Sequence, residues 1–152
     1  IYDDDYSGEI ADVITLKLHP DKLSVGLYHL KFAIEGKVTE QVKNLYEVCG
    51  QAQKSVHWKH KDGTEFINHL LRREIKNRNG QTCSRLEVGT REDLEKLLSI
   101  AKKEIPMEYE IYIVQPGFSK TTATNEILTL LGVTENYLKE IAGINLKVIA
   151  NQ

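Results

Sequence analysis

The sequence predicts an α/β domain: a mixed β-sheet flanked by helices, with a helical insertion ahead of the fourth core strand. Three observations carry this. Residues 11–18 and 23–34 read as strands joined by a His19–Pro20–Asp21–Lys22 turn, hence a hairpin. Apolar residues then recur at helical spacing through 38–58. The later strands, 109–115 and 145–150, are separated by helical segments, which implies parallel pairs joined by right-handed crossovers.

In chain order, residues 3–8 form an acidic turn, and the hairpin follows, with Glu35–Gly36 ending its second strand. The hairpin is expected in the middle of the sheet. Val38, Val42, Leu45, Cys49, Ala52 and Val56 step alternately by four and three, one apolar stripe of a helix reaching Trp58. Glu47, Gln51 and Lys54 share the opposite face at about 100° per residue. After the basic, aromatic stretch 57–63, residues 64–78 read as a second helix. Its Ile67, Leu70, Leu71 and Ile75 point inward, and His69, Arg72, Arg73 and Lys76 form a basic outer face. Asn79–Gly80 is a turn, 82–88 a short strand, and 91–103 a third helix capped by Thr90. Residues 59–105 are the insertion. Pro116–Gly117 is expected to stop the next strand, and two helices, 119–131 and 134–142, end at Gly132 and Gly143.

One domain is expected for 152 residues, and 41% hydrophobic with 28% charged residues is ordinary for a globular chain. No apolar run approaches the roughly 18–20 residues of a membrane span. The chain opens on Ile1 without an initiator Met, and it is expected to be a piece of a longer protein whose other domains are its partners. A net charge of −2 does not advertise nucleic-acid binding, but an acidic metal site offsets basic patches in that total. Two cysteines make no disulfide framework, which points to free thiols and a cytoplasmic location.

The opening hairpin carries the chemistry. Glu9 and Asp12 stand at the mouth of the first strand, and His29 and Lys31 near the end of the second. Phosphodiester hydrolysis needs charge neutralisation on the phosphate and a water deprotonated near neutral pH. Mg²⁺ supplies both and takes one or two carboxylates plus waters and phosphate oxygens. A nearby lysine positions the nucleophile or stabilises developing charge.

Asp12, then 19 residues to Lys31, with the strand order above, resembles the PD-(D/E)xK, or restriction-endonuclease-like, superfamily. Its Mrr-like and resolvase-like branch is the nearest likeness. Residues 46–55, YEVCGQAQKS, resemble that branch's glutamine-bearing helix, and GEIADVI with YIVQPGFSK is similar to C-terminal domains of large bacterial helicase-type proteins. The resemblance implies a nuclease acting on DNA, in bacterial restriction or defence, with Mg²⁺ or Mn²⁺ as cofactor. Asp12, Glu9 and His29 would then be metal ligands and Lys31 catalytic. Gln51 and Lys54, with Arg72, Arg73 and Lys76, would contact DNA. Cutting both strands of a duplex implies a homodimer. His29 stands where the superfamily places Asp or Glu, and as a nitrogen ligand it favours Mn²⁺ or Zn²⁺ over Mg²⁺. Glu9 would supply the second carboxylate. The alternative is a catalytically inactive version of the same fold that binds DNA or a partner domain; a third reading is a protein-interaction domain.

Rival sites are poorly specified. Cys49, His57, His60 and Cys83 match no standard zinc spacing, and Cys49 sits on the apolar stripe. The PGFSKTT turn lacks the second glycine of a phosphate-binding loop. Nothing in the spacing selects a Cys–His hydrolase. Trp58, with Lys59, Lys61 and the basic helix face, reads either as a surface that meets phosphates or stacks on a base, or as a buried tryptophan anchor beside a solvated helix.

Overall fold

The computed structural model describes residues 1–3, 8–31 and 42–151. The expected acidic turn over 4–7, the strand end over 32–34, Glu35–Gly36 and the helix start at Val38 lie outside the described residues. The fold is α/β, with a mixed four-stranded sheet and helices packed against it.

Strand β1 (Val13–Leu18) pairs antiparallel with β2 (Leu23–Leu30), as the alternation requires. The hairpin is not central. Sheet order is β1-β2-β5-β6, where β5 is Met107–Ser119 and β6 is Leu146–Asn151, so β1 lies at one side and only β2 is internal. Ile1–Tyr2 continue the sheet beyond β1 through a bridge from Tyr2 to Val13 and paired bonds between Ile1 and Ile14. β2 runs parallel to β5, and β5 to β6, as crossover topology predicts.

Leu23, Val25, Leu27 and His29 alternate onto one face of β2 and are fully or nearly fully buried. Ile14 and Ile111 flank Leu27 in register on that face. Helix α1 (Val42–Ser55) covers it with Leu45, Cys49 and Ala52, the predicted stripe, together with Val48. Each such aliphatic side chain contributes roughly 1.5–3 kcal/mol on burial. The opposite face carries the Tyr28–Tyr112 stack, at 4.3 Å between ring centroids, with Lys147 over Tyr112.

The segment between α1 and β5 departs from the expected run of helices. A short 3-10 helix (Val56–His60) leads into α2 (Gly63–Arg73), capped by Asp62, and α2 stops at Arg73. Ile75 and Lys76 belong to β3 (Ile75–Arg78), which forms a hairpin with β4 (Gln81–Ser84) around Asn79–Gly80. Ile75, expected inside, is 55% exposed. The reason is chemical: Asn79 and Gly80 both adopt positive φ, which favours a tight hairpin over another helical turn. Helix α3 (Arg91–Ala101) begins with the predicted Thr90, which forms a reciprocal capping box with Asp93.

Two further corrections concern glycine and proline. β5 passes through Pro116–Gly117 by a register shift between Val114 and Ser119, with Gly117 at φ 108°. A bulge is where a strand tolerates proline, because the lost N–H is already unpaired there. The expected pair of C-terminal helices is one, α4 (Asn125–Ala142), running straight through Gly132. Thr124 caps it, so the helix starts at Asn125, six residues beyond Ser119. Gly143 ends it as predicted, in the left-handed conformation at φ 64°. Gly143→Ala is expected to cost about 1 kcal/mol in urea unfolding, because an L side chain there is strained. An unchanged midpoint counts against that assignment.

A candidate active-site cleft beside the hairpin

The acid and the lysine are each bonded near the same end of the hairpin, to different partners. Asp12, just ahead of β1, accepts the backbone N–H of Leu30 through Oδ2 at 2.8 Å. Its carboxylate is thus fixed to the His29–Leu30 peptide. Lys31 follows β2, its N–H bonded to Val114 O, and its Nζ reaches Glu47 Oε2 on α1 at 2.8 Å. Glu47 begins the polar face that continues to Gln51 and Lys54. That helix face therefore lies over the end of the hairpin, as its spacing predicted.

A cleft of about 310 Å³ opens here, lined by Glu9, His29, Gln51, Lys54, Ser55 and Trp58 among others. The structure brings Glu9, His29, Gln51 and Lys54 to this cleft; Asp12 and Lys31 do not line it and bond Leu30 N and Glu47 instead. Among the described residues no three His, Cys, Asp or Glu side chains form a metal-holding group, the set Glu9, Asp12 and His29 and the rival His/Cys set included. A roomier groove of about 460 Å³ between β1 and α3 is largely apolar, and none of these residues lines it.

His29 has a defined protonation state. It is 1% exposed, and burial drives its pKa from 6.5 down to about 4, so the ring is neutral at pH 7. Ser55 Oγ donates to Ala52 O at 2.7 Å, so it accepts from His29 Nε2–H at 3.2 Å. Among the described residues Nδ1 has no hydrogen-bond partner, a status it shares with Tyr109 Oη and Gln115 Oε1. An unsatisfied buried acceptor costs about 1–3 kcal/mol unless a water or other donor reaches it.

The lowered pKa fixes a pH dependence. Between about pH 4 and pH 6.5 the unfolded chain binds a proton at His29 that the native chain refuses. Stability therefore falls as pH drops through that window and levels off below it. The expected contribution is about 3 kcal/mol in total. Urea unfolding of wild type and His29→Gln across pH 7 to 4 measures it, and parallel pH profiles for the two proteins would contradict it.

The basic face divides differently from its prediction. Arg72 is exposed on α2 and Lys76 lies in β3, off the helix. Arg73 Nε bonds Oδ1 of Asp3, which is fully buried, at 2.5 Å, and Arg85 approaches the same oxygen at 3.5 Å. Asp3 Oδ2 also accepts the Ile10 N–H at 2.8 Å, and His69 Nε2 lies 2.7 Å from Gly8 O. Helix α2 thus anchors the segment that carries Glu9. Lys59 Nζ caps α4 at Ala142 O, and Lys61 pairs with Glu65 at 3.0 Å. Sequence reading left Asp3 and Arg85 without roles, since their partners lie 70 or more residues away.

Comparison with protein-family models, curated proteins and solved structures finds no match for this chain. No described helix is long and apolar enough to cross a membrane.

Proposed function

We propose that this is a divalent-metal-dependent nuclease domain that hydrolyses DNA phosphodiester bonds, with a restriction-endonuclease-like core. The observation that carries the reading is the Asp12–Leu30 bond, which locks the acid to the strand end that presents Lys31. Asp12 and Glu9 would be the carboxylates for Mg²⁺ or Mn²⁺, with water and phosphate oxygens as the remaining ligands. Hard oxygen donors suit these ions, which need few protein ligands because water and phosphate complete the shell. When bound, such an ion neutralises the scissile phosphate and acidifies a water. Lys31, leaving Glu47, donates from Nζ to a phosphate oxygen as charge builds there. Gln51 and Lys54 hold the strand from the helix side. Neutral His29 orders the cleft floor through Ser55 and offers only Nδ1 as a ligand atom.

Plasmid and linear DNA incubated with the domain in Mg²⁺ or Mn²⁺ test the reading. Wild type cleaves DNA and Lys31→Ala does not; equal background from the two proteins refutes catalysis. The second reading is a DNA-binding module without chemistry. It draws on the burial of His29 at the acid position, and it predicts metal-independent DNA binding without cleavage.

A further inference from the structure

The same cleft bears on the form of the substrate, an inference resting on the nuclease reading above. We infer that it holds one unstacked nucleotide of locally single-stranded DNA, with the base against Trp58 and its phosphates toward Lys54.

Trp58 is held by Phe66 at 5.7 Å and His57 at 5.7 Å, both edge to face, and by His69 at 4.7 Å. It is partly buried against the core and lines the cleft with His57. A fixed indole at the wall of a small cleft gives a base an aromatic surface to pack on. The volume, about 310 Å³, is at the low end for ligand pockets, which favours one small planar group over a long apolar ligand.

The polar lining complements a base edge. Glu9 is an acceptor, Gln51 is both donor and acceptor, and Lys54 is a donor. Base edges carry both donors and acceptors to meet such a set. Glu9 also repels phosphate, which sends the backbone toward Lys54, exposed in the last turn of α1.

Two facts argue against an intact duplex as the bound form. Stacked pairs present edges in the grooves and no free face for Trp58. Three of the cations expected to form a broad duplex-binding surface are also engaged elsewhere: Lys59 on Ala142, Lys61 on Glu65, Arg73 on Asp3. A single-stranded substrate enters without the cost of unstacking.

Trp58 is the chain's sole tryptophan, so its emission reports the event directly. The experiment titrates wild-type protein in EDTA with a short mixed-sequence oligodeoxynucleotide, single-stranded or annealed to its complement. The single strand is expected to quench Trp58 and to bind at least about tenfold more tightly than the duplex. Trp58→Leu, followed by anisotropy of a labelled strand, is expected to weaken binding about 5- to 150-fold. Because Trp58 also packs against the core, Gln51→Ala and Lys54→Ala provide variants that keep the reporter. Both are expected to weaken binding. Lys54→Ala should also remove about one phosphate contact, roughly a threefold loss between 50 and 200 mM salt in wild type. Equal quenching by single strand and duplex, or no quenching, overturns the inference. Cleavage measured in parallel with Mn²⁺ separates the two readings. Quenching without cleavage refutes the nuclease and leaves the nucleotide site, and cleavage without quenching does the reverse.

Discussion

Asp3→Ala is expected to destabilise the domain by about 3–5 kcal/mol, the range for breaking a buried ion pair by removing one partner. Asp3 is completely buried and serves three groups: the Ile10 N–H and the guanidiniums of Arg73 and Arg85. Its loss leaves those cations facing each other across a desolvated gap. Asp3→Asn keeps the shape and the acceptor for Ile10 but not the charge, so it should lose less. Urea unfolding at pH 7 gives the comparison. A loss below about 1 kcal/mol for Asp3→Ala would mean that Asp3 contributes no more than a surface pair.

Lys31→Ala is expected to lower the cleavage rate about 10²- to 10³-fold, the magnitude for deleting one preorganised donor at a site of developing charge. Its effect on stability should be small. The Lys31–Glu47 pair is partly exposed, and such pairs contribute about 0–1 kcal/mol. This split between rate and stability distinguishes a catalytic lysine from a structural one. Glu47→Gln sharpens the test. Glu47 restrains Lys31, so its loss is expected to leave cleavage unchanged or faster; slower cleavage would mean that the pair positions Lys31 for the reaction. Cleavage by Lys31→Ala within about twofold of wild type removes Lys31 from the reaction.

Local pattern made much of the molecule legible. Alternation located β1 and β2, and steps of four and three located α1 and its polar face. Short polar residues at helix starts identified the Thr90 cap, and Gly143 the end of α4. Errors came where a local signal was ambiguous. Gly132 is a helix stop in isolation, yet it is accommodated within α4 at a cost of about 1 kcal/mol relative to alanine. Pro116 is a strand stop unless the strand has a bulge to hold it.

The sequence by itself determined the hairpin, the spacing of Asp12 from Lys31 and the helix that follows them, because each depends on residues near one another in the chain. Only the tertiary structure decided what the charged side chains do. Arg73 finds Asp3 across 70 residues and Lys59 finds Ala142 across 83, which turns an expected binding face into internal supports. The same holds for His29: its identity is local, but its neutrality and its orphan nitrogen arise from the helix packed over it, whose Ser55 lies 26 residues along the chain. Periodicity is a property of neighbours in sequence, whereas the state of a buried polar group is set by desolvation and by whichever partners folding brings to it.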